Sequence, residues 1–328
     1  MSFNFTIGIK PNTNLSNFSK LGVKKIYCGY LEKMAIKKWP ESFCTLNRRG
    51  ESASFYGKRN FSKIAKQAEN LGISIYVTFN GLYTPEQYSW IMHAINTVSS
   101  FQAVKGIIVN DIGLLLRLKT NKYTKEIVLS TGGTTFNSST VSFYKQFNVT
   151  RIVLDRQLKL NELKDIIAAH TDLKFEIFLM FGNCLFIDGF CSLMHSLENR
   201  KKNKHNFFNI SGLLSNCGFI HKLQSENKYQ IIQKTGKKHT IKYNKQMRNL
   251  STGCNLCALQ ELKCFSNNII YKIVSRGNIF INELDIIKPF LTELLELGKN
   301  EYNKNILFKK IFQYDCNFYG CYASKKII

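Results

Sequence analysis

Cys184 and Cys191, with six residues between them, are the first place in this chain where residue type and spacing could do chemistry. Cys217 follows, and then the close pair Cys254-Asn255-Leu256-Cys257. Four thiolates can hold a [4Fe–4S] cluster or a tetrahedral zinc ion. Structural zinc sites usually use two Cys-x₂-Cys knuckles, and here only Cys254 and Cys257 have that spacing. Single ligands spread around a strand end fit a cluster better. On spacing alone a cluster, zinc and unrelated buried cysteines all stand open. The N-terminus, Met1 to Ile7, has no basic segment followed by an apolar one, and no apolar run reaches the roughly 18 residues of a membrane span. A cytoplasmic, reducing location without a membrane span is therefore expected, where clustered thiols bind metal or do chemistry more often than they pair as disulfides. Cys28, Cys44, Cys264, Cys316 and Cys321 read as bystanders, with Cys44 the first candidate for an exception.

The net charge is +24, from 46 Lys and Arg against 22 Asp and Glu. That excess suits RNA or an anionic small molecule as partner. The drift of an AT-rich genome toward Lys, Asn and Ile accounts for it equally well.

Elements that must position the cysteines follow from the apolar pattern. Short β-branched runs predict strands at Phe3–Ile9, Lys25–Tyr30, Ile73–Asn80, Gly106–Asp111, Ile127–Gly132, Arg151–Arg156, Phe175–Phe181 and Ile269–Arg276. Amphipathic spacing predicts helices at Phe61–Leu71, Pro85–Val98, Leu160–Ala169 and Glu283–Leu297. Eight strands alternating with helices predict an α/β fold, a (β/α)₈ TIM-barrel-like architecture, with chemistry at the carboxyl ends of the strands. Polar strand ends there are Asn80, Asp111, Thr131, Arg156 and Arg276, each more often a loop cap than a catalytic group. Asn80, Arg156 and Arg276 are the substrate-binding candidates, the two arginines because they can clasp a carboxylate. The pattern breaks after the seventh strand. Three regions result: residues 1–181 with strands one to seven, a cysteine-rich basic insertion over 182–265, and 266–328 with the last strand, closing helices and tail. So long a connection is expected to be functional or a small subdomain.

The run from Phe175 to Cys184, then Gly189-Phe190-Cys191-Ser192-Leu193, resembles the signature of the U32 peptidase family. Ser215-Asn216-Cys217-Gly218-Phe219, Asn255-Leu256-Cys257 and Tyr271-Lys272-Ile273-Val274-Ser275-Arg276 resemble its later blocks. Asn60-Phe61, Val77 to Asn80 and Ile152 to Arg156 fall where the family has comparable segments. The resemblance implies a barrel with a [4Fe–4S] cluster held by Cys184, Cys191, Cys217 and Cys257, Cys254 being the substitute for the last. It further implies an O₂-independent hydroxylase acting on an RNA base or on a small aromatic or quinone precursor, some members using prephenate as hydroxyl source. Val274-Ser275 replaces a Glu-Gly of the family. In length, and in its tail Asp315-Cys316-Asn317-Phe318-Tyr319, the chain is similar to the small paired proteins of anaerobic ubiquinone hydroxylation, which implies a second U32-family subunit.

Two other functions compete. A peptidase is what the family name implies, but neither His-Glu-x-x-His nor Gly-x-Ser-x-Gly occurs. A non-catalytic RNA-binding or partner subunit would use the positive charge alone.

Overall fold

The structure is a computed structural model that describes residues 4–38, 53–180, 187–190, 228–232, 238–242, 254–274, 291–292 and 308–309. Eight parallel strands close a barrel: β1 (Phe5–Gly8), β2 (Lys25–Leu31), β4 (Ser74–Phe79), β5 (Val104–Val109), β6 (Glu126–Leu129), β7 (Arg151–Val153), β8 (Lys174–Met180) and β11 (Ile269–Ile273). They pair in that order, and β1 meets both β2 and β11 to complete the ring. All eight coincide with strands predicted from the apolar runs. A (β/α)₈ barrel is therefore the observed fold.

One strand is additional. β3 (Ser54–Tyr56) pairs with the upper part of β2, Gly29 to Leu31, whereas β1 pairs with its lower part, Lys25 to Tyr27. β1 thus covers only the lower reach of β2, and β3 occupies the rest of that edge. A separate antiparallel hairpin, β9 (Lys228–Ile232) with β10 (Lys238–Lys242), lies in the long connection between β8 and β11.

Helices clothe the barrel where the periodicity dictates. α3 (Gly57–Asn70) buries Phe61, Ile64, Ala65 and Ala68. α4 (Tyr88–Ser99) is entered through a 3₁₀ turn, Pro85–Gln87, in which the Thr84 amide donates to the Gln87 side chain at 3.0 Å. α7 (Leu160–Ala169) has the predicted bounds. Helices α1 (Leu15–Lys20), α2 (Lys33–Lys38), α5 (Ile112–Thr120), α6 (Ser138–Lys145) and α8 (Cys257–Glu261) are further elements. Of the helix predicted at Glu283–Leu297, only residues 291–292 are described, and they are helical. No helix among the described residues is long and apolar enough to cross a membrane.

Candidate functional site

The floor of the barrel is charged. Arg151 on β7 donates to Glu126 on β6 through Nε at 2.9 Å and to Glu176 on β8 through Nη1 at 3.0 Å. Lys272 on β11 donates to the other Glu176 oxygen at 2.6 Å. Tyr76 donates its hydroxyl to Glu126 at 2.7 Å, and its ring lies 4.2 Å from the Arg151 guanidinium. The Lys272 ammonium stands 3.9 Å from the Tyr27 ring centroid. The Arg151, Glu176 and Lys272 side chains are only 2%, 1% and 8% exposed, so this chain of alternating charge is shielded from water. Burial opposes the charge of Glu176, but Lys272 and Arg151 outweigh it and hold its carboxyl below the usual range. Burial, assisted by Glu126, pushes the Tyr76 phenol up to about 12.

Glycine makes room for this arrangement. Register places Tyr76, Gly106 and Glu126 side by side on three adjacent strands. A Cβ on Gly106 would stand 2.4 Å from the Glu126 carbonyl oxygen.

At the carboxyl end the groups become mostly uncharged. The Asn80 amide donates to Ser130 at 3.3 Å. Asn110, oriented to satisfy its amide, donates to the carbonyls of Asn80 and Gly81 at 2.9 and 3.1 Å. Asp111 caps α5, accepting from the Leu114 amide at 2.7 Å and from the Tyr88 hydroxyl at 2.8 Å. Arg156 meets a protein carboxylate: its Nη2 donates to Asp188 at 2.9 Å, and its guanidinium lies 4.5 Å from the Phe178 ring centroid. Thr131 donates to the same Asp188 oxygen at 2.6 Å. Asn80 and Arg156 thus stand at one end of the barrel, while Arg276 lies outside the described residues.

The Cys254–Cys257 segment comes to this end too. Cys254 forms an isolated antiparallel bridge with Met180, the last residue of β8, and the Asn255 amide donates to the Leu179 carbonyl at 2.7 Å. Cys254 is buried, and Cys257 is half-buried at the start of α8. Asp188, between Cys184 and Cys191 in sequence, sits at the same end. Cys184, Cys191 and Cys217 themselves lie outside the described residues. Among the described residues no group of three or more His, Cys, Asp and Glu is arranged to hold a metal ion. Cys28 is buried and Cys264 exposed.

Sequence reasoning missed the floor and the Asp188 contact. The signal for the floor was a single charge inside each apolar strand, as in Phe175-Glu176-Ile177 and Tyr271-Lys272-Ile273. The signal for Asp188 was that it is the one carboxylate between the two cysteines.

A closed parallel barrel with a charged floor, and with Asn80, Arg156, Asp188 and the Cys254–Cys257 segment at the strands' carboxyl end, defines the class. The chain belongs to peptidase family U32, whose profile it matches over residues 12–270. It is 28% identical over 138 residues to a tRNA hydroxylation protein P of Haemophilus influenzae, covering 42% of this chain and 30% of that protein. It is 31% identical over 98 residues to the Escherichia coli protein of that name, covering 30% of this chain and 22% of that one. An uncharacterized protease of Methanocaldococcus jannaschii is 26% identical over 186 residues, covering 56% of this chain and 41% of the relative. The matches thus span less than half the length of each of these relatives. The solved structure of a U32 peptidase superposes with a TM-score of 0.47 at 10% identity, covering 85% of this chain and 94% of that one.

Proposed function

We propose that this chain is a cluster-dependent, O₂-independent hydroxylase-like enzyme acting on an RNA base. Cys184, Cys191, Cys217 and Cys257 would hold a [4Fe–4S] cluster at the carboxyl end of the barrel, with Cys254 as alternate to Cys257. The observation that carries this reading is the docking of Cys254 and Asn255 on the end of β8, four residues before Cys184. Two cysteines in that segment are of the residue type a cluster needs as ligands. When bound, such a cluster supplies the redox chemistry of oxygen transfer.

The chain's own groups then bind and orient. Asn80, Ser130 and Asn110 offer neutral amides and a hydroxyl, which suit the edge of an uncharged base. Arg156 is engaged by Asp188 and Phe178, which leaves Arg276 as the candidate for an anionic co-substrate such as prephenate. The relatives named for tRNA hydroxylation and the net charge of +24 support an RNA substrate. A second family subunit is part of this reading, and whether the lone chain modifies RNA tests it.

Anaerobic preparation followed by iron and sulfide analysis, absorbance and electron paramagnetic resonance tests the cluster. About four iron and four sulfide per chain are expected, falling sharply in Cys184→Ala and Cys191→Ala. A colourless protein with one zinc per chain would sink it. Proteolysis by iron-free protein, abolished by thiol alkylation, would favour the protease reading carried by the archaeal relative's name.

A further inference from the structure

Two donors from two elements converge on one carboxylate oxygen at the rim. Asp188, in the 3₁₀ turn Asp188–Phe190, accepts from Thr131 Oγ1 at 2.6 Å and from Arg156 Nη2 at 2.9 Å, both through Oδ2. The Arg156 and Asp188 side chains are 7% and 11% exposed, so water screens this pair little. The Phe178 ring covers the guanidinium. The backbone closes just as tightly. A Cβ on Gly189 would stand 2.2 Å from the Thr134 methyl and 2.7 Å from the Gly132 carbonyl oxygen. Thr134 itself has φ 50°, a left-handed conformation that a β-branched residue holds only where its surroundings enforce it.

Apolar burial does not seat this turn. Phe190, its one large apolar side chain, is 79% exposed. The attachment is polar and directional, and it falls between two cysteines, four residues after Cys184 and three before Cys191. Spans that short reach at most about 14 Å and 11 Å, so anchoring their junction restrains both thiols.

We propose that Asp188 is a positioning residue for Cys184 and Cys191: Thr131 and Arg156 anchor Asp188, which lies between the two thiols in sequence, on the barrel rim before any metal binds. This rests on the reading that these cysteines are cluster ligands. Pre-set ligands lose less freedom on binding, so the anchor acts on metal retention rather than on the fold of the barrel.

Asp188→Ala, Asp188→Asn and the full-length unsubstituted chain, prepared anaerobically, test it with two readouts. In iron-free protein, amide hydrogen exchange across residues 182–190 should quicken by about tenfold or more in Asp188→Ala, with barrel-strand amides unchanged. In loaded protein, iron loss to a chelator should quicken by a similar factor at an unchanged thermal midpoint. Asp188→Asn should fall between, because its amide oxygen still accepts from Thr131. Wild-type exchange over 182–190, or wild-type iron loss, in Asp188→Ala would overturn the proposal. So would exchange that quickens equally throughout the barrel, which would assign Asp188 to global stability. If the unsubstituted chain takes up no iron, the cluster reading itself fails, and that failure is visible without any variant.

Discussion

Glu176→Gln should destabilise the barrel by about 3–5 kcal/mol, the usual cost of stranding a buried charge. The Glu176 carboxylate is 1% exposed and is bound by Arg151 at 3.0 Å and Lys272 at 2.6 Å. At an effective permittivity of roughly 20, each contact represents about 5–6 kcal/mol of attraction, most of it offset by removing the charges from water. Neutralising Glu176 leaves Arg151 with Glu126 but leaves Lys272 facing only the Tyr27 ring among its described partners. The double variant Glu176→Leu with Lys272→Met removes both members, and replacing a buried pair by apolar groups should change stability by no more than about 1–2 kcal/mol. Urea unfolding followed by circular dichroism reads both, through the midpoint at constant slope. The sign with pH is also fixed. Because the folded pKa of Glu176 is depressed, its contribution is full above the usual carboxylate range and is lost as pH falls through the folded value. Glu176→Gln should therefore show a flatter acid limb. A single variant within about 1 kcal/mol of the parent, or a double variant as unstable as the single, would refute the reasoning.

Tyr76→Phe keeps the ring against Arg151 and removes a phenol whose pKa is pushed up to about 12 by burial and Glu126. That raised value stabilises the fold fully below about pH 10 and is lost between about pH 10 and 12, so the parent should lose up to about 2–3 kcal/mol more than the variant across that window in pH-dependent unfolding. Gly106→Ala places a methyl 2.4 Å from the Glu126 carbonyl oxygen, between backbones that cannot yield freely. A loss of about 1–3 kcal/mol is expected from its thermal midpoint, and an unchanged midpoint would mean that β5 and β6 separate more easily than their register implies.

The strands were legible because parallel strands covered on both faces read as continuous β-branched runs. The same property hid the floor. Where both faces are apolar, alternation does not mark the inner one, so Glu126, Arg151, Glu176 and Lys272 read as isolated charges rather than as one network. Strand ends were overcalled for a local reason: at β7 the predicted run reaches Arg156, yet Asp155 accepts from the Gln157 amide at 3.1 Å and turns the chain out after Val153. α5 was missed because Ile112, Leu114, Leu115, Leu116 and Leu118 blur its period, Ile112 and Leu116 being exposed. β3, at three residues, is too short to carry a pattern. Arg156 was readable as a carboxylate binder, but not that the carboxylate is the chain's own Asp188, 32 residues on.

Floor and rim meet through one irregularity between β8 and β11. Their register runs from Ile269 opposite Phe175 to Lys272 opposite Phe178, then skips, so that Ile273 lies opposite Met180 and Leu179 has no counterpart on β11. The Leu179 carbonyl is taken instead by the Asn255 amide at 2.7 Å, while the Val274 amide closes on Met180 at 3.2 Å. A bulge of this kind lets a strand end accept a third segment without leaving a buried carbonyl unpaired. Here the third segment is Cys254-Asn255. The ion pair of Lys272 with Glu176 holds β11 on β8 immediately below the skip. The charged floor and the docking place of the Cys254–Cys257 segment are thus joined by one strand pair, with the ion pair just below the skip and the segment just above it.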